Sequence, residues 1–546
     1  MKIPKNEIDR HILYRDVSDA CLRSRDDRIT DYVRREAYYL NGSESGQPPA
    51  TFNKIYPSIQ NLVAFLFSAD STRYTVDLDA EVPRGEIEKI PPVAKYINDR
   101  WWQSDSDAVA AQCAEWALVY NSMLMKSLWV HGQFHAYAVR PHDFGVYQED
   151  VTTVDDQEAV VHVYAMPMPA LERMLEGHPR KDQIMKQVQP KAGRDEQPDR
   201  VSQLILTASA PITPSNPNMV GALASNALRS SPNYEPTLPD DMVEMRELWV
   251  WNDEESDYQV VTMASNVTVF DRLAGDDKQG KQLFVKGENP FTLFCPSPKY
   301  NYFFGTSDVE RVSLLQDLLT KRNEEFDNLL EKQVKPPGFG RGYTDEQMLA
   351  LTVIGGIANS SDPTADYKQL IPEIPQHLLT AFEMVNDGFA DSLALHNILQ
   401  GKGEPGVRGR GHAQELARIS SARIKRKAMT VEDSLEKVGS LMLKLMAQND
   451  DTVLYTDSGE KFVLAQFPKE CAVRVDAHSN SPIFAEDNEN RANTMLEAKI
   501  IDGESYIDLT KPPMAEVLKK RYKDLQKKKE AEILLQAQQK QGESNG

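Results

Sequence analysis

The chain lacks any apolar run long enough to cross a bilayer. Its most apolar stretch, Leu62-Val63-Ala64-Phe65-Leu66-Phe67, is far short of the roughly 20 residues a spanning helix needs. The first residues, Met1 to Glu7, have no apolar signal core, so synthesis in a cytoplasm without membrane embedding is expected. Cysteine is scarce: Cys21, Cys113, Cys295 and Cys471 are scattered, with no CxxC pair and no Cys/His cluster. That points away from a disulfide framework or a structural zinc site and fits a reducing compartment. Net positive charge is missing too. The 62 Lys+Arg against 82 Asp+Glu leave −20, which argues against a protein that coats DNA with a uniformly basic surface. There is no G-x-x-x-x-G-K-[ST] loop, so nothing cradles nucleotide phosphates in that way, and no cofactor is expected.

What is present is a chain of 546 residues, 40% hydrophobic and 26% charged, longer than one core usually organises and expected to form several domains or an elongated subunit. Residues 7–40 read as a polar helix dense in Arg and Asp, and Asn53 to Phe67 as a second helix. A strand follows at Arg73 to Asp77, then a long helical pattern over 106–126. Short strands are expected at Leu128–Val130, Phe134–Val139 and Val160–Tyr164, making this part mixed α+β. Residues 178–240 hold 9 of the 32 prolines and read as a long mobile or surface insertion with one short helix. Strands resume at Val243–Trp251, Tyr258–Met263 and Val267–Phe270.

The sharpest local signal is Ser307 followed by Glu310, a capping box at a helix start. Apolar residues then recur at Val312, Leu315, Leu318, Leu319, Phe326, Leu329 and Leu330, up to the stop Lys335-Pro336-Pro337-Gly338. After a Gly-rich stretch, a second helix opens at Pro375 and runs through Leu378, Phe382, Val385, Phe389 and Leu393. Both helices are expected to have roughly 25 residues, about 38 Å each, and can lie antiparallel. Five glycines within 401–411 mark a flexible loop, and a helix of roughly 34 residues follows from Ala413 to Met446. Strands at Thr452–Tyr455, Lys461–Gln466 and Ala472–Val475 come next, and the end of the chain reads as helical.

Chemistry-bearing motifs are few. His131, His135, His142 and Asp143 are the one local cluster with metal-ligand character, but they lack the helical His-Glu-x-x-His register and read as ordinary strand-end residues. No nucleophile motif anchors a catalytic triad, so neither a catalytic nor a metal site is expected. Electrostatics is more telling. Residues 401–427 carry eight Lys/Arg against Glu404 and Glu415, a local excess of six positive charges that leaves −26 for the rest. One reading is a solvated helix face paired with acidic neighbours. The other is contact with a polyanion through Lys402, Arg408 and Arg410 on the loop.

The order of these parts resembles the portal proteins of tailed bacteriophages. The resemblance is carried by Pro290-Phe291-Thr292 through Gly305-Thr306-Ser307 to Leu315-Gln316-Asp317, ending at Lys335-Pro336-Pro337. Asn53 to Val76, Arg140-Pro141-His142-Asp143-Phe144 and Val473-Arg474-Val475-Asp476 through Pro482 are similar to other parts of that family, and the likeness covers about residues 50–530. This chain has Gly411-His412-Ala413 where many relatives show a Ser-Gly pair, and 178–240 has no counterpart.

The resemblance implies an α+β, portal-like elongated subunit: a mixed α/β wing over 1–305, a first stem helix over 306–333 and a clip over 334–374. It further implies a second stem helix over 375–400, a tunnel loop over 401–412, a long basic wing helix with strands over 413–476, and a helical crown over 477–546. It implies a homo-oligomeric ring, commonly of twelve subunits, at one capsid vertex of a virion made in a bacterial cytoplasm. Double-stranded DNA would pass loosely and without sequence preference, touching Lys402, Arg408, Arg410 and Arg418. The large terminase subunit and a head-tail adaptor would dock around Lys335, Arg341 and Tyr343, with major capsid and scaffolding proteins as further partners and no membrane. The alternatives are another ring-forming connector or tail protein of the virion, or a metal-dependent nucleic-acid-processing enzyme.

Overall fold

A computed structural model describes residues 1–67, 72–78, 84–130, 132–188, 242–276, 283–334, 336, 338–352, 358–369, 371–373, 375–395, 422–456, 458–468, 471–476 and 492–510, with scattered positions between 518 and 526. The fold is α+β, and the described residues form five antiparallel sheets of two to five strands packed among helices.

The first helix, α1 (Glu7–Asn41), starts where the Asn6 side chain accepts from the Ile8 N–H at 3.3 Å. It ends at Gly42, whose φ of +67° lets the chain turn while its N–H closes on the Tyr38 carbonyl. Its sequence reads as polar, yet Tyr14, Val17, Cys21, Ile29, Tyr32 and Tyr39 are buried, and so are Arg25 and Arg35. The helix is therefore a core element, and its Arg28 and Arg35 pair with Glu149 and Glu310 on other segments. The Arg35 guanidinium donates to the Tyr120 carbonyl at 2.7 Å and pairs with Glu310.

After α2 (Ile55–Leu66) comes β1 (Arg73–Leu78), then α3 (Ile90–Gln103) and α4 (Ser106–Tyr120). The helix expected over 106–126 stops at Asn121, whose φ of 121° turns the chain, and residues 123–130 form β2 (Met123–Val130) instead. The central strand of a three-stranded sheet is β2, flanked by β3 (Gln133–Val139) and β9 (Phe291–Phe294). A five-stranded meander contains β4 (Phe144–Val146), β5 (Ala159–Pro167), β6 (Met242–Asn252), β7 (Asp257–Ala264) and β8 (Val267–Leu273) in that order. Two short helices, α5 (Met168–Met174) and α6 (Lys181–Gln187), follow β5, and residues 189–241 lie outside the described residues. The buried Lys126 ammonium on β2 meets the Glu247 carboxylate on β6 at 2.7 Å and 2.8 Å, so the two sheets share an ion pair.

From the body, α7 (Asp308–Val334) leads to a small unit of β10 (Gly338–Arg341), α8 (Asp345–Thr352) and β11 (Asp366–Gln369), where the two strands pair antiparallel. The chain returns through α9 (Gln376–Leu393), which packs on α7. This second helix has 18 residues against 27 in the first. It ends at Ala394 in the left-handed conformation, short of the expected residue 400 and not comparable in length to α7.

The long helix α10 (Ala422–Asn449) crosses the body with Ile424, Ala428, Val431, Leu435, Val438, Met442 and Met446 buried at helical spacing. Gly439 is required there: a Cβ would come within 2.4 Å of the Tyr74 ring. After α10 come β12 (Val453–Tyr455), β13 (Lys461–Val463), β14 (Cys471–Asp476) and α11 (Gly503–Thr510). A 3₁₀ turn replaces the expected strand at Leu464–Gln466. Because β14 pairs antiparallel with β1, Tyr74 facing Val475, the early and late parts of the chain share one sheet.

Candidate functional site

The features singled out in the sequence converge on the helix pair, on its far end, and on the junction where it meets α10. The junction starts at Ser307, whose buried hydroxyl donates to the Val119 carbonyl at 2.5 Å and accepts from the Glu310 N–H at 3.2 Å. Only this half of the expected capping box forms. The Glu310 carboxylate instead pairs with Arg35 on α1, so an ion pair distant in sequence has displaced the local contact. Next to it, Asp308 has no exposed side-chain surface and meets the Lys427 ammonium of α10 at 2.5 Å and Arg311 at 3.3 Å. Burial lowers the Lys427 pKa below the usual lysine value, and the Asp308 charge opposes that shift.

One turn earlier on α10, the Arg423 guanidinium donates to the carbonyls of Asp391 at 2.7 Å and Ser392 at 3.1 Å. These are among the last carbonyls of α9, which lack intrahelical partners, so a cation from α10 caps that helix end. The first turns of α10 thus hold the start of α7 and the end of α9 together.

Among the basic residues of 401–427, Lys402, Arg408, Arg410 and Arg418 lie outside the described residues. Arg423 and Lys427 are bound to the helix pair, so that part of the local positive charge serves the fold. Neither role is visible in the sequence, because Lys427 and Asp308 are 119 residues apart. The available signal was their i, i+4 spacing beside the buried Ile424 and Ala428.

Along the pair, the side-chain amide of Gln316 donates to the Phe52 carbonyl at 2.8 Å, and its oxygen accepts from the Lys54 N–H at 3.0 Å. Phe326 and Phe382 meet edge to face at 6.1 Å. Between Leu319 and Val385, however, no described residue is buried. At the far end Phe339 and Leu349 are 70% and 72% exposed, and Val334 and Ile371 are exposed as well. Arg341 is exposed on β10, and Tyr343 packs its ring against the edge of Tyr367. Lys335 lies outside the described residues.

The histidine cluster separates. His135 lies on β3, stacked near Tyr137, whereas His142 and Asp143 sit in a buried turn, with the His142 ring against Tyr32 and Tyr120. His131 lies outside the described residues. Burial lowers the His142 pKa well below the usual histidine range, and Arg140, Arg25 and Arg35 add to the effect. Burial pushes the Asp143 carboxyl up to about 7 even though Arg140 stands 3.2 Å away. Among the described residues, no three His, Cys, Asp or Glu side chains converge as metal ligands.

No known family matches the sequence, and neither does any curated protein. Among solved structures, the chain is similar to one in the neck of an empty GTA particle computed with C6 symmetry. The two are 9% identical, with a TM-score of 0.40, over 88% of this chain and 93% of that one. It is also similar to one in the virion of a native gene transfer agent (GTA) particle. There the identity is 7% and the TM-score 0.39, over 87% of this chain and 92% of that one. Likenesses this distant decide neither fold nor function, and both rest on the chain's own geometry.

Proposed function

We propose that the protein is a structural subunit of a closed ring of the portal class, set at one capsid vertex of a tailed-phage-type virion. The ring is a passage for double-stranded DNA and the docking point for a packaging motor and a head-tail adaptor. The observation that carries this reading is the helix pair without a core of its own. Two helices of 27 and 18 residues leave the body, and between Leu319 and Val385 no described side chain is buried. Helices owe most of their stability in water to tertiary packing, so a pair this long calls for neighbours along its sides.

The anchoring at the body end fits the same reading. Arg423 and Lys427 fix both helices to α10, which suits an element that must hold its place in an assembly. The charge distribution suits passage: an acidic chain repels phosphate, and the few cations at Lys402, Arg408, Arg410 and Arg418 make weak contacts that form and break. The protein acts here by shape and charge, without catalysis. The experiment is electron microscopy of the purified full-length chain. A ring of about twelve subunits with a central hole is the expected result, and a monomer or dimer at micromolar concentration overturns the reading.

A further inference from the structure

The two sides of α7 differ. On the outer side Leu314 and Leu318 are 75% and 44% exposed, with exposed Arg311 and Lys321 and half-buried Arg322 beside them. This face also carries Asp317, whose carboxylate is held by the Tyr38 hydroxyl at 2.9 Å, and Glu325, which is bonded to Arg322. Leu319 and Asn323 lie about 140° and 180° around the helix from Leu314, at 3.6 residues per turn. That opposite side lines a groove of about 570 Å³, formed with the chain before α2 and with α9. Phe52, Pro57, Phe382 and Phe389 give the groove apolar walls, and Glu383 and Asp387 stand exposed at its edge. The outer strip of α9 continues the acidic side with Asp391.

We infer that Leu314 and Leu318 of one subunit seat in this groove of the next, with the cations of α7 facing Glu383 and Asp387. The occupant is a second copy of this chain, because one helix pair carries both halves of the contact. A leucine-bearing face with a small excess of cations lies on one side, and a groove with apolar walls lies on the other, edged by Glu383 and Asp387 with Lys54 bonded to Asn386 inside it. Complementary patches on different faces make a head-to-tail contact, which a closed ring requires and a two-fold dimer does not. In a ring of many subunits the two interface faces point almost opposite ways, and the leucine side and groove-lining side of α7 are about 140–180° apart. Burying two leucines per contact supplies part of the apolar packing that the pair lacks. The inference rests on the ring reading and assigns its contact.

Two variants and their mixture test it. Leu314→Asp/Leu318→Asp removes the knob, and Glu383→Lys/Asp387→Lys removes the acidic edge. Each alone is expected to stay monomeric with an unchanged unfolding midpoint, raising the concentration for half-assembly more than about tenfold. Mixed one to one, they are expected to give dimers and no rings, because each pair retains one intact contact. Size-exclusion chromatography with light scattering reads all three. If the leucine variant fails to fold, a charge exchange takes its place. Lys321→Glu/Arg322→Glu and Glu383→Lys/Asp387→Lys should each block assembly, and one chain carrying all four changes should form rings again. Rings of normal size from either single-sided variant, a mixture that stays monomeric, or a four-fold exchange that fails to restore rings overturns the inference. In each of those cases wild-type rings leave the ring reading standing, whereas a monomeric wild type would end that reading first.

Discussion

The body and the helix pair are built on opposite principles. In the body, Trp101 has no exposed surface, meets the Tyr74 ring edge to face at 5.0 Å and belongs to a core that joins α2, α3, α4 and α10. Along the outer part of the helix pair, Phe326 is only half-buried and has the Phe382 edge as its ring partner. The body satisfies itself within one chain, and the pair does not. The largest expected effects therefore fall in the body. Trp101→Ala is expected to cost about 3–5 kcal/mol in denaturant unfolding of the isolated subunit, and Phe326→Ala less than about 2 kcal/mol. Equal losses would mean that the pair has a core after all.

The second-largest effect tests the junction between the two regions. Lys427→Met leaves the Asp308 carboxylate without its closest cation at a site with no exposed surface, keeping only Arg311 at 3.3 Å. Breaking one side of a buried ion pair costs about 3–5 kcal/mol, and Arg311 holds the loss here near the lower bound. Adding Asp308→Asn to Lys427→Met should recover at least half of it, because the uncompensated charge is then gone. If the single change leaves the unfolding midpoint where it was, Lys427 does not hold the junction.

The same contrast governs what could be read from the residues. Elements with local signals were legible: the stop at Pro336-Pro337, the start at Pro375, and the strands β6 to β8. Elements decided by distant partners were not. Residues 7–40 read as a polar helix with few apolar positions, and Arg35 in it is buried against a carbonyl 85 residues away. Helix α3 shows only Val93, Ile97 and Trp101 as its buried stripe behind a double proline, too thin a signal to register as periodicity. The end of α4 at Asn121 has no glycine to announce it. At the candidate site, the helices and the small unit between them were anticipated. The contacts of Arg423 and Lys427 with the pair were not, because they depend on which residues α10 meets after folding.

Within the body, pH should separate two adjacent residues. His142 has a folded pKa well below its unfolded value, so the unfolded chain binds more protons below about pH 6.5 and stability falls on acidification. Asp143, pushed up to about 7, binds a proton in the folded chain first, so its contribution rises as pH drops from about 7 towards 4. The two slopes oppose each other in a turn faced by Arg140, Arg25, Arg35, Glu36 and Tyr120. His142→Gln removes one slope and keeps the other. Whatever its stability at pH 7, the variant should gain on the wild type by about 1–2 kcal/mol at pH 5. Parallel profiles would place the titration elsewhere.

The smallest effect on the subunit lies at the far end of the pair. Phe339 and Leu349 stand 70% and 72% exposed, beside Arg341 on β10. Replacing exposed side chains shifts stability by no more than about 0.5 kcal/mol each, so Phe339→Ser/Leu349→Ser should unfold at nearly the wild-type midpoint. Apolar residues exposed together on a small charged unit suit contact with another protein. The double variant is therefore expected to form rings of normal size but to bind the packaging motor at least tenfold more weakly, read by pull-down of motor on purified rings. Loss of rings would assign these residues to contacts between copies of the chain. Normal motor binding by intact rings would move the docking surface away from residues 334–374.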